Sequence, residues 1–295
     1  MKNPRTLSYS VLFISILLAT TISAFATGGT MNGSGTAGSP YLVKDYADLK
    51  AIGTGSYTLS ATYRLANDID ASASATENGG SGFVPIGNET NFFTGKFHGA
   101  GHSVNNLTIQ RPAANCIELF GYTSLATIDS LGVTKAKISG NYYVGCIVGF
   151  NKGRISSCNA SGSVTGVSVV GGIAGENEDT IKNCAAVSNC YASGERLSGS
   201  SVGGIAGRCA YGVISYCHSS GNVKGDIVEV GGIAGLIESP TVTYCYSTGN
   251  VTGGSYVGGI AGLNQERYQH LLCNRQHKWH LREHWWDSRI KWSRV

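Results

Sequence analysis

Asn67-Asp68-Ile69-Asp70 is the first run in this chain whose residue types and spacing could do chemistry. Carboxylates at i and i+2 could share a calcium ion or divide acid and base roles between them. Calcium takes about six to eight oxygens, which two Asp and one Asn do not supply, so turn-capping is the expectation for Asp68 and Asp70. His98 and His102, in Phe97-His98-Gly99-Ala100-Gly101-His102, are the next acid/base candidates. The glycines between them and the strand-like run after them favour a turn there too. Asp129, Glu176, Glu178 and Asp179 fall in what read as inter-strand turns, where acids are ordinarily solvated. His277, His280 and His284 stand at i, i+3 and i+7, which could gather three imidazoles around a metal on one helical face. Nine cysteines complete the set, and none forms the C-x-x-C pairing of a zinc site.

These residues must be positioned by a repeat. The chain writes VGCIVG from Val144, then VGGIAG from Val170, Val202, Val230 and Val257. A recurrence at roughly 26 to 32 residues marks stacked coils, each unable to bury its apolar side alone. Each unit continues as a turn, a strand around Ile or Val that carries a Cys, a Ser-Gly or Thr-Gly step, and a Val-containing strand. Three short strands in about 27 residues are the content of one coil of a parallel β-helix. Gly145 and the pairs Gly171-Gly172, Gly203-Gly204, Gly231-Gly232 and Gly258-Gly259 are expected at corners that need either positive φ or close backbone approach between coils. Cys158, Cys184, Cys217 and Cys245 recur about 14 or 15 residues after each Val and are expected to stack as a column. Equivalent residues of adjacent coils lie about 4.8 Å apart, inside the disulfide window, but parallel side chains point the same way. A ladder of free thiols is therefore placed ahead of bridges. The unit from Val170 carries extra residues, and the sequence places the resulting loop at Val187 to Cys190.

Composition agrees. Charged residues are 14% of the chain, against about 25% in ordinary domains. The 42 glycines are about twice the usual share. The expected organisation is a signal peptide over 1–26, a flexible lead-in over 27–39, a β-rich leader over 40–112, the repeat over 113–265 and an aberrant tail over 266–295. The signal is read from Lys2 and Arg5, an apolar run over Val11 to Ala19 that is short for a bilayer span, and Ala24-Phe25-Ala26. Export would make disulfides permissible. In the leader, Leu42, Leu49 and Ile52 are the residues available for burial in a strand and a turn of helix.

The repeat resembles the GLUG motif of bacterial surface proteins, most closely over Val230 to Gly253, where Tyr244 to Gly253 read YCYSTGNVTG, and over Val202 to Gly225. The stretch from Gly35 to Ile109 is similar to the leader that precedes such repeats. That resemblance implies an all-β, right-handed parallel β-helix in a secreted or adhesin-like protein, with no catalytic residue to transfer.

The tail does not fit the repeat. It has no glycine, holds all four tryptophans, and carries seven Lys/Arg against three Asp/Glu, a surplus equal to the chain's net charge of +4. The remainder is neutral, which gives no reason to expect a nucleic-acid partner. Codons exist for which the tail, shifted by one nucleotide, encodes IYCATGN and IGGIAG, a further repeat unit. We expect a frameshift product, a solenoid truncated at its C-terminal end, and further repeats or another domain lost beyond it; the histidine trio would then be an accident.

A non-catalytic adhesion or binding module, or a structural spacer, is thus the expected function. No cofactor, metal or membrane span is expected, and host or neighbouring-cell glycans or surface proteins are the expected partners. Recurring tyrosines among Ser, Thr and Asn suit such contacts. Because parallel β-helices include polysaccharide lyases and glycoside hydrolases, a carbohydrate-active enzyme is the alternative; it would need clustered carboxylates, and those between Val144 and Gln265 are scattered over non-equivalent positions.

Overall fold

Strand alternation in each unit puts Val and Ile on one side of the chain and polar residues on the other, and the chain winds so that the apolar sides face inward. A computed structural model describes residues 30–194, 200–226, 229–238 and 241–265; the expected signal peptide and the tail lie outside them. Three sheets run along the molecule: sheet 1 with 12 strands, sheet 2 with 10 and sheet 3 with 5 among the described residues. Neighbouring coils pair in parallel. One coil leaves sheet 3 at Ser168–Gly171, passes through Ala174–Asn177 and Thr180–Lys182 in sheet 1 and Ala185–Ala192 in sheet 2, and returns to sheet 3 at Ser201–Gly203. The fold is a β-solenoid, as the repeat predicts. The register also crosses the expected leader boundary without a break, since Lys96 pairs with Thr127 and Val104 with Val133.

The hexapeptide is a corner. Val144, Val170, Val202, Val230 and Val257 stack in sheet 3, and Val170 and Ile173 are fully buried on either side of the bend. Of the two reasons weighed for its glycines, close approach is the one observed: none of Gly171, Gly172, Gly203, Gly204, Gly231, Gly232 or Gly258 has a left-handed φ. A Cβ on Gly171 would lie 2.0 Å from the Ala174 carbonyl oxygen, and one on Gly172 2.1 Å from that of Gly204. Gly145 meets the Val148 carbonyl at 2.2 Å, and Gly232 meets that of Gly259 at 2.1 Å. The bend folds back so tightly that backbone packs on backbone.

Left-handed residues stand just before the hexapeptide, at Tyr143, Val169 and Tyr256, and at a second corner. Ser157, Asn183, Tyr216 and Tyr244 have φ of 54° or 55°, and each immediately precedes a cysteine of the column. That bend turns sheet 1 into sheet 2 and aims the cysteine inward.

Further expectations are corrected. Val187 to Cys190 form no loop, because Ala185–Ala192 pairs residue for residue with Asn159–Gly166. The extra residues enter between Ala192 and Ser200, since Ser200 hydrogen-bonds Ser168 of the preceding coil at 3.0 Å; 195–199 lie outside the described residues. Residues 30–39 are held rather than loose. Met31 is buried and its N–H donates to the Tyr57 hydroxyl at 2.9 Å, while the Leu42 N–H donates to the Asn32 carbonyl. In the first strand the fully buried residue is Val43, with Leu42 only half-buried. Asp129 and Glu176 lie in the strands Phe120–Asp129 and Ala174–Asn177 rather than in turns, and Glu176 is buried.

Helix Tyr46–Ala51 starts at Asp45, whose carboxylate accepts from the Asp48 N–H at 2.9 Å, while Asp48 accepts from the Lys44 N–H at 2.9 Å. This reciprocal capping fixes the helix so that Leu49 joins the core. The interior narrows along the chain. Phe83, Phe93, Phe97 and Phe120 fill the early coils, whereas Val, Ile, Ala and Cys fill those from Val144 on. Register also exposes a degenerate hexapeptide, Cys116 to Gly121. Phe120 pairs with Val148, which pairs with Ala174, so Glu118 occupies the slot of Cys146 and Gly172.

Candidate functional site

The cysteine column is a set of free thiols in this structure. The N–H groups of Cys158, Cys184 and Cys217 each donate to the sulfur of the next coil's cysteine at 3.4 Å. Each S–H finds a carbonyl two residues back, from Cys158 to Ser156 and from Cys217 to Ser215 at 3.2 Å. The Cys217 thiol is pushed up to about 12 by its hydrogen bond with the Cys184 sulfur and by burial. Such thiols are packing groups with little nucleophilic character.

The early chemistry candidates cap turns. Asp70 accepts from the Ser72 N–H at 3.0 Å and from Asn106 Nδ2 at 2.9 Å, bonds that hold its carboxyl below the usual value, the Asn106 bond first. Asp68 accepts from the Ser103 N–H at 2.8 Å and has His102 Nδ1 at 3.5 Å. His98 and Asp129 are vertical neighbours with Nδ1 and Oδ2 2.7 Å apart. These groups tie adjacent coils together.

Structure assembles one acid cluster that the repeat alignment hides. Arg208 Nη2 donates to both Glu238 oxygens at 2.8 Å, and Nη1 to Glu176 Oε2 at 3.5 Å. Glu176 and Arg208 are register partners, whereas Glu238 lies two residues beyond Leu236, the partner of Arg208. Its offset is why the acids look unrelated in sequence. Burial pushes the Glu176 carboxyl up to about 7 even beside Arg208.

The outward face of sheet 2 in the later coils has a different character. Tyr216 and Tyr244, 53% and 64% exposed, stack at 4.8 Å between ring centroids with planes 12° apart. His218 and Tyr246 stack beside them at 5.1 Å and 6°. The two pairs flank Cys217 and Cys245, so the inward thiols set the outward rings at i and i+2. Further along the same strands, Asn189 Oδ1 accepts from the Asn222 N–H at 3.0 Å, and Asn222 Oδ1 from the Asn250 N–H at 3.3 Å. That ladder leaves amide nitrogens for solvent or ligand. Beyond it, Lys224 Nζ lies 5.2 Å from the Tyr191 ring centroid, and the Tyr191 hydroxyl donates to Asp226 at 2.5 Å. Ser163, Asn189, Tyr191, Asn222 and Lys224 border a shallow depression of about 360 Å³. Sequence reading noted these tyrosines without pairing them, although Tyr216 and Tyr244 each immediately precede a cysteine of the predicted column.

Among the described residues no group of three or more His, Cys, Asp or Glu side chains could hold a metal ion, and no helix is long and apolar enough to cross a membrane. The histidine trio of the tail lies outside those residues.

No family model matches the chain. Over 148 residues, 49% of its length, it is 44% identical to halomucin of Haloquadratum walsbyi, and the match spans 2% of that protein. It is 29% identical over 175 residues, 53% of its length, to a provisionally named Gly-rich membrane protein of Evansella cellulosilytica, spanning 19% of it. The chain thus corresponds to a small part of the curated relatives it matches. Among solved structures, a Bacteroides ovatus protein provisionally assigned as an immunoglobulin A1 protease superposes with a TM-score of 0.52 at 18% identity, covering 78% of this chain and 86% of that one. At that identity the likeness is one of fold.

Proposed function

We propose that this chain is a non-catalytic, GLUG-type repeat segment of a secreted or cell-surface protein, working by contact through the outside of its solenoid. The observation that carries this is the outward face of sheet 2, where two ring stacks, an amide ladder and a Tyr-Lys pair lie on one rigid surface. Rings with polar edges beside unspent amides are binding chemistry. The signal-like N-terminus supports export, and similarity to halomucin supports a surface setting. Adhesion is tested with the purified mature chain on glycan arrays and intact cells. Saturable binding is expected, and blank results on both would remove the proposal.

A second reading, a carbohydrate-active enzyme, is favoured by Glu176 alone, a carboxyl poised near neutrality beside Arg208. It predicts depolymerisation of some polysaccharide and its loss in Glu176→Gln; no product from a polysaccharide panel would dismiss it.

A further inference from the structure

The sheet 2 face has a chemistry more particular than general stickiness. Left-handed φ is uncommon for a bulky side chain and costs about 1–2 kcal/mol, while Asn tolerates it. The lower coils place Ser157 and Asn183 at this corner, but the next two place Tyr216 and Tyr244 there, with φ of 55° and 54°. Strained rings held in solvent are candidates for function. Stacked face to face, these rings admit nothing between them and present edges and hydroxyls outward. Lys182 Nζ, 5.5 Å from the Tyr216 ring centroid, covers one end of the stack.

From the rings, the stretch Cys217 to Asp226 sets His218, Ser220, Asn222, Lys224 and Asp226 outward in turn. At strand rise that row extends over about 20 Å or more. The next coil adds Tyr246, Thr248, Asn250 and Thr252, and the preceding one Asn189 and Tyr191. The charges on these outward rows are Lys224 and Asp226, 3.7 Å apart and mutually neutralising. Apart from the single cation Lys182 at the end of the stack, the surface is made of hydroxyls, amides and ring edges, which offer little to an anionic chain and many partners to vicinal hydroxyls. Resting on the contact-module reading above, we propose that this face binds a neutral polysaccharide, laid across sheet 2 from the Tyr216–Tyr244 and His218–Tyr246 stacks to Tyr191.

The test uses the mature chain in native gels containing a neutral mannan, xylan or β-glucan, with alginate as the anionic control. Retardation by at least one neutral polymer is expected. The double variant Tyr216→Asn with Tyr244→Asn removes both rings where Asn fits the backbone, so its Tm should not fall while retardation weakens about tenfold or more. Tyr191→Ala should weaken it as well, and Phe92→Ala, on the distant early coils, should not. No retardation by any neutral polymer, retardation by alginate alone that salt abolishes, or full retardation of the double variant would each overturn the proposal. Binding to intact bacterial cells separates the two levels. Cell binding that survives periodate oxidation of the glycans but not protease treatment would keep the contact module and discard the polysaccharide.

Discussion

Glu176 is the residue where local physics makes the clearest demand. Its carboxyl is raised from an ordinary 4.5 to about 7, chiefly by burial. A raised carboxyl favours the folded chain below about pH 4.5, and that contribution is lost as pH rises through about 7. Glu176→Gln removes the charge without removing the shape, and Arg208 keeps its bidentate partner Glu238. The variant should therefore match wild type near pH 4 and exceed it at pH 8.5, by about 1–3 kcal/mol; thermal melts at the two pH values check it. At Gly204 the demand is steric, because a Cβ would lie 2.2 Å from the Gly232 carbonyl oxygen and 2.1 Å from Ser219 Oγ. Gly204→Val should cost about 3 kcal/mol or more, against less than about 0.5 for Ser220→Val on the exposed face. Equal shifts in Tm would show that the bend is not backbone-tight.

Between sheets 1 and 2 the corner is a composite element. A left-handed residue aims the next side chain inward, and the inward slot is filled successively by Leu131, Cys158, Cys184, Cys217 and Cys245, all buried. Leucine at its head shows that the slot asks for apolar volume, which a thiol supplies. With every S–H of the column already bonded to a carbonyl, it needs no bridges. Native protein should react slowly with a thiol reagent, and unfolded, unreduced protein should titrate most of its nine cysteines. Fewer than two free thiols on unfolding would replace the ladder with disulfides. The residue positions of this column were legible from spacing. The left-handed bend was not, since Ser, Asn and Tyr share no backbone signature and the glycines of the hexapeptide are not the residues that take the left-handed φ.

As a whole molecule the solenoid is close to one-dimensional, each coil touching only its neighbours. Cutting out a unit between equivalent points should therefore leave a foldable chain. Deleting 202–229 joins Ser201 directly to Val230, the register partner of Val202, so Val230 takes over the vacated place in sheet 3. The shortened chain should keep its β-sheet circular dichroism and melt cooperatively at lower temperature. Deleting half that length should abolish the fold, because the two cut ends would then lie on different sheets. Cooperative melting of the half-coil deletion would contradict the vertical register.

Sequence alone determined the coil period, the inward Val and Ile, and the small residues of the hexapeptide, because each follows from alternation or from a slot that recurs in every unit. Only the tertiary structure decided which residues meet across coils. Arg208 lies in register with Glu176, but Glu238 reaches it from two residues beyond Leu236, the register partner of Arg208 in the next coil. An offset of that kind leaves no mark on the linear pattern. The Glu176–Arg208–Glu238 cluster and the paired ring stacks therefore exist only once hydrogen bonding has set the register, and the binding face is a property of the stack that no unit possesses by itself.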